Sequence, residues 1–110
     1  RQQIARYYYD HISHPLISLP RRLDDSQNVY HIFPICCPER DRLQQYLSEQ
    51  GIQTLIHYPI PPHRQECYEE WNSMVLPVTE QIARQELSLP ISPVLTLQEA
   101  QAIVRTLNDF

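Results

Sequence analysis

The residues best suited to chemistry lie in one short run, His57-Tyr58-Pro59-Ile60-Pro61-Pro62-His63. Imidazole and phenol groups exchange hydrogen bonds with hydroxyls, and aromatic faces cover C–H surfaces. Pro59, Pro61 and Pro62 stiffen the backbone, so His57, Tyr58 and His63 are presented with little entropy left to lose. Loops beside a rigid scaffold often carry function. A proline-rich connection whose rings pack against a core would show the same residues.

Other chemistries fit the spacing less well. His57, His63 and Cys67, with Cys36 or Cys37, could supply zinc ligands, but no CxxC or HxxxH occurs. His63 and Cys67 stand four apart and could meet on one helical turn as base and nucleophile. Nothing nearby supplies an orienting group or an oxyanion site, so a buried, inert Cys67 is the expectation. Tyr7, Tyr8 and Tyr9 would point three ways on a helix, giving core and surface rather than a stacking platform. Glu69-Glu70 reads as a solvated turn.

Composition narrows the field. All nine basic residues are Arg, so a lysine Schiff base cannot form within these 110 residues. Gly51 is the single glycine, which rules out a glycine-rich phosphate cradle. A net charge of -4 gives no attraction to nucleic acid or anionic lipid. No apolar stretch is long enough to span a membrane, and no signal peptide is visible. Adjacent Cys36 and Cys37 with a third Cys67 favour buried or half-buried thiols in a reducing cytoplasm.

These residues need elements to position them. Ile4, Ala5, Tyr8 and Ile12 mark a helix over 2–12. It starts without a cap, which suggests a fragment of a longer chain. A proline-interrupted connection and a polar turn (Asp24, Asp25, Ser26, Gln27, Asn28) precede an expected strand over 29–37. Pro34 demands an edge or a bulge there. A helix over 40–50 closes at Gly51, with Ile52 folding back on Leu47. A second strand is expected over 53–58, a helical turn over 63–71, a helix over 78–87 capped by Thr79, and an extended run over 87–93. Thr96 and Glu99 form a capping box for a last helix striped by Ala100, Ile103, Val104 and Leu107. The order predicts an α+β domain, with a small, mostly antiparallel sheet packed with helices.

In sequence order, Val29-Tyr30-His31-Ile32-Phe33, Arg40-Asp41-Arg42-Leu43, Gly51-Ile52-Gln53-Thr54, Ile56 to His63, Leu76 to Glu80 and Leu87 to Pro93 resemble the C-terminal blocks of the DegT/StrS-type sugar aminotransferases. The resemblance covers nearly the whole chain and is weakest before Asn28. It implies that residues 1–110 form a single C-terminal small domain of a fold type I aminotransferase, with the large pyridoxal-phosphate domain absent. It implies transfer of an amino group from glutamate to a nucleotide-linked keto-deoxysugar, in surface-polysaccharide building. The run HYPIPPH followed by Gln65-Glu66-Cys67-Tyr68 looks most like enzymes acting on dTDP-3-keto-6-deoxyhexoses. His57 and Tyr58 then match a pair near the hexose, and His63 a position that buttresses the loop or lines the site. A cytoplasmic homodimer using pyridoxal phosphate is implied for the full-length enzyme; this chain alone is expected to hold no cofactor or metal and to be inactive. The rival reading is a small-ligand-binding or regulatory α+β module without catalysis. A self-associating domain built on the tyrosine-rich first helix is a third.

Overall fold

A computed structural model describes residues 1–24 and 26–110. The core grows from residues spaced for one face of each helix. Helix α1 (Gln2–His11) buries Ile4, Ala5 and Tyr8. Helix α2 (Arg40–Glu49) buries Leu43 and Leu47, and α4 (Leu97–Asn108) buries Ala100, Ile103, Val104 and Leu107. They pack on Phe33 and Ile35 of strand β1 (Phe33–Cys36) and on Leu87 and Leu89 of strand β2 (Glu86–Leu89). Each fully buried leucine contributes roughly 1.5–3 kcal/mol relative to its exposed state.

The strands pair antiparallel, Phe33 opposite Leu89 and Ile35 opposite Leu87. Single bridges extend the pair on both sides, Ser18 to Cys36 and Leu55 to Ser88. The rows therefore run Ser18, β1, β2, Leu55. This is the expected small antiparallel sheet in an α+β fold. Cys37 N–H donates to Gln85 O on the β2 side, whereas Cys36 N–H donates to Ser18 O on the other. Pro34 shares the parity of Cys36, so its missing donor falls on the outer edge.

Several boundaries differ from expectation. The strand over 29–37 shrinks to Phe33–Cys36 because Tyr30 adopts φ 48. Its N–H is taken by Asn28 Oδ1, and its ring enters the core beside Tyr9 and Phe33. The polar turn forms, with Ser26 N–H on Asp24 Oδ1 and Gln27 N–H on Asp24 O; Asp25 lies outside the described residues. No strand runs over 53–58 beyond the bridge at Leu55. The turn over 63–71 is two 3-10 segments, Pro62–Arg64 and Glu66–Trp71.

Helix α3 (Pro77–Gln85) starts before Thr79, which is not its cap. Pro77 sits at the first helical position, where no N–H is needed, and the Glu80 carboxylate accepts from Leu76 N–H instead. The helix stops at Gln85, and Glu86 opens β2. Arg40 reaches the carbonyls of Ala83 and Glu86 across this junction.

Two predicted closures are present in full. Gly51 takes φ 78, Gly51 N–H donates to Ser48 O, and Ile52 N–H donates to Leu47 O, which is the Schellman pattern. Thr96 Oγ1 accepts from Glu99 N–H while Glu99 Oε2 accepts from Thr96 N–H.

Candidate functional site

The sheet has two chemically different faces. Leu87 and Leu89 enter the apolar core, so Glu86 and Ser88 point the other way. Both are nonetheless buried, at 3% and 5% exposure. A buried carboxylate and hydroxyl need partners, and the segment beside Leu55 supplies them. Ser88 Oγ donates to Glu86 Oε1 at 2.5 Å, and His57 N–H donates to Glu86 Oε2 at 2.6 Å. His57 Nδ1 lies 2.8 Å from Ser88 Oγ. The Glu86 carboxylate thus replaces the backbone carbonyl that a continuing ladder would have offered to His57. That substitution is the physical reason the expected second strand stops.

His57 and Tyr58 are brought together. The peptide between them is cis, and their rings meet edge-on with centroids 5.4 Å apart. Tyr58 is 71% exposed and His57 is half-buried. Both border an open cavity of about 190 Å³ that the proline segment and Thr79 and Ile82 of α3 also line. His57 also borders a larger cleft of about 660 Å³, shared with Ser88, His31 and Glu99. Tyr58, Ile60 and Ile82 border the smaller cavity with exposed apolar side chains. The pair therefore stands at the domain surface, outside the core.

His63 does not join them. It is 3% exposed, and its Nε2 donates toward Glu80 Oε1 at 3.0 Å. Its Nδ1 is buried with no hydrogen-bond partner among the described residues. Asn72 Nδ2 donates to the carbonyls of His63, Gln65 and Tyr68, and Arg64 donates to Asn72 O. Glu80 also accepts from Arg64 at 3.3 Å. The His63 hydrogen bond, followed by those from Leu76 N–H and Arg64, holds the Glu80 carboxyl down at about 2. This network fastens the 3-10 segments to α3.

Cys37 and Cys67 are separate from this site, whereas Cys36 stands opposite Glu86 across the strand pair. Cys67 is exposed, contrary to the buried thiol expected, because its 3-10 segment contributes nothing to the core. Cys37 is buried and Cys36 half-buried. Burial, then the charge of Glu86, pushes the Cys36 thiol up. Among the described residues no three His, Cys, Asp or Glu side chains converge as metal ligands. No helix among them is long and apolar enough to cross a membrane.

Glu86 and Ser88 were missed in the sequence, although a signal existed. In ELSL the polar residues alternate with leucines, which places both on one face of a strand. Asn72 and Glu80 carried no comparable signal, since their roles depend on how the loop folds back.

Comparison with known proteins gives this geometry a context. A dTDP-3-amino-3,6-dideoxy-alpha-D-galactopyranose transaminase of Aneurinibacillus thermoaerophilus is 48% identical over 110 residues, covering 100% of this chain and 30% of its own length. A dTDP-3-amino-3,4,6-trideoxy-alpha-D-glucose transaminase of Streptomyces venezuelae is 38% identical over 98 residues, covering 87% of this chain and 26% of its own. The crystal structure of S. venezuelae DesV with a ketimine intermediate superposes with a TM-score of 0.88 at 34% identity, over 98% of this chain and 30% of DesV. NtdA of Bacillus subtilis with bound PMP gives 0.85 at 30% identity, over 97% of this chain and 26% of NtdA. The chain thus spans about 30% of the length of the first of these relatives. The sequence pattern of one family matches residues 1–108, nearly end to end, and with the shared fold it establishes that the chain belongs to the DegT/DnrJ/EryC1/StrS aminotransferase family.

Proposed function

We propose that the chain is the C-terminal small domain of an aminotransferase that moves an amino group from glutamate to a dTDP-linked 3-keto-6-deoxyhexose. The observation that carries this reading is the surface pair His57–Tyr58, held edge-on beside a cavity that the exposed Ile60 and Ile82 also border. The 48% identity to a transaminase whose product is a dTDP-3-amino-3,6-dideoxyhexose supports the substrate class. In this reading His57 and Tyr58 bind sugar hydroxyls, and His63 acts indirectly, through the loop it fastens to Glu80. The whole protein works as a cytoplasmic homodimer with pyridoxal phosphate.

The residues present here do not fit the role of cofactor holder. With no lysine amine in the chain, no Schiff base can form on it. What this domain can do is orient the sugar. A lost neutral hydrogen bond to a ligand costs about 1 kcal/mol, and a buried group left unpaired more. The test is kinetic, on the full-length protein carrying this chain, with glutamate and a dTDP-3-keto-6-deoxyhexose. His57→Ala and Tyr58→Phe each lower kcat/KM for the sugar by about fivefold or more, while glutamate half-reaction rates hold. Undiminished sugar kinetics in both variants, or no amination of any nucleotide-linked ketosugar, refutes the proposal.

A further inference from the structure

We propose that Glu86 and Ser88 are positioning residues that fix the protonation of His57, so that its Nε2 faces outward as a hydrogen-bond acceptor. The inference deepens the sugar-contact reading above and rests on it for its functional meaning only.

The chain of contacts has one consistent proton order when Glu86 is a carboxylate. A carboxylate only accepts, and a serine hydroxyl has one proton to give. At 2.5 Å from Glu86 Oε1, that proton lies between Ser88 Oγ and the carboxylate. The other carboxylate oxygen already accepts from His57 N–H at 2.6 Å. Ser88 Oγ can then only accept from His57, so Nδ1, 2.8 Å away, carries the imidazole proton. Which ring nitrogen is protonated follows from the hydrogen bond the other makes. The ring of His57 makes its hydrogen bond to another described residue through Nδ1, and Nε2 makes none. In neutral His57 it is a lone pair on a half-buried ring whose residue borders the cavity.

The functional consequence is the direction of the hydrogen bond to a partner. A protonated Nε2 would donate, to a carbonyl or to a hydroxyl oxygen, whereas a bare Nε2 can only accept, so a sugar hydroxyl must donate to it. Burial of Glu86 and Ser88 makes the arrangement rigid, since neither has a nearby alternative partner in water. Tyr58, edge-on to the same ring, limits its rotation further.

The experiment reads the imidazole nitrogens of the 15N-labelled chain by long-range 1H–15N correlation, at a pH where His57 is neutral. The expected spectrum shows Nδ1 as the protonated nitrogen and Nε2 as the bare one. Ser88→Ala shifts His57 toward a mixture of the two tautomers, and Ser88→Thr, which keeps the hydroxyl, restores the original pattern. A protonated Nε2 in the unmodified chain overturns the inference, because it means the reverse order with Glu86 as donor. So does a Ser88→Ala chain with unaltered His57 nitrogens. If Ser88→Ala fails to fold, the unmodified chain alone still decides. Failure of the sugar reading looks different: the tautomer is as stated, but His57→Ala leaves the sugar kinetics of the full-length protein unchanged.

Discussion

Replacing Tyr8 by Phe tests how α1 is tied to the segment that follows β2. Tyr8 is fully buried, and its hydroxyl donates to Pro90 O at 2.7 Å. The Phe ring fills the same space, so only a hydrogen bond is lost and a carbonyl is left without its donor. That costs about 1–2 kcal/mol. An unfolding entropy of about 2.1 cal/mol/K per residue, taken over 110 residues, turns about 1.5 kcal/mol into a Tm drop of about 6 °C near neutral pH. Burial also pushes the Tyr8 phenol upward from its ordinary 10.0. The unfolded phenol therefore ionises first, and the contribution of Tyr8, complete below about pH 10, is lost as pH rises further. One unit above that value, ionisation favours the unfolded chain by about 1.4 kcal/mol, and Phe has no such term. The advantage of Tyr over Phe should then shrink from about 1.5 kcal/mol at about pH 8 to near zero by about pH 11. Urea unfolding followed by circular dichroism across this range measures it. Tyr9, Cys36 and Cys37 are also pushed up by burial, but they weaken both proteins alike. Equal stability at the lower pH would refute the hydrogen-bond argument, and a gap that does not change with pH would refute the burial argument.

Two further outcomes test the loop and a helix end. Glu80 has a depressed folded value of about 2 against an ordinary 4.5, so its contribution is present above 4.5 and is lost as pH falls toward 2. Glu80→Gln should remove that part of the acid unfolding curve, with carboxyl NMR titration confirming the assignment; an unchanged acid limb would contradict it. Gly51→Ala should cost about 1 kcal/mol in chemical denaturation, because the new Cβ meets nothing within 4 Å and only the φ of 78 is unfavourable. A loss of about 3 kcal/mol or more would mean packing, not backbone conformation, decides this position.

The elements most legible in the sequence are those whose start, face and end are all encoded locally. Helix α4 has its capping box and its apolar stripe within one stretch, and α2 ends on a glycine whose left-handed backbone the chain requires. Boundaries differ where a side chain, near or distant, takes a backbone N–H. Tyr30 looked like a strand residue, yet Asn28 takes its N–H and its ring goes to the core. Helix α3 looked uncapped before Thr79, yet Glu80 reaches back to Leu76. The run over 53–58 alternates like a strand, yet a side-chain carboxylate takes the N–H of His57. This last substitution explains why the candidate site was only half visible. His57 and Tyr58 advertise themselves by residue type, whereas Glu86 and Ser88 hide inside a strand whose leucines dominate its reading. Yet the alternation separates two tasks within four residues. Leu87 and Leu89 hold the sheet to the helices, and Glu86 and Ser88 hold His57 on the opposite face. Because successive side chains on a strand cannot exchange faces without shifting register, the leucines that secure the core also fix where the carboxylate and hydroxyl must stand. The placement of the imidazole is thereby a consequence of core packing, reached through residues that contribute nothing apolar to it.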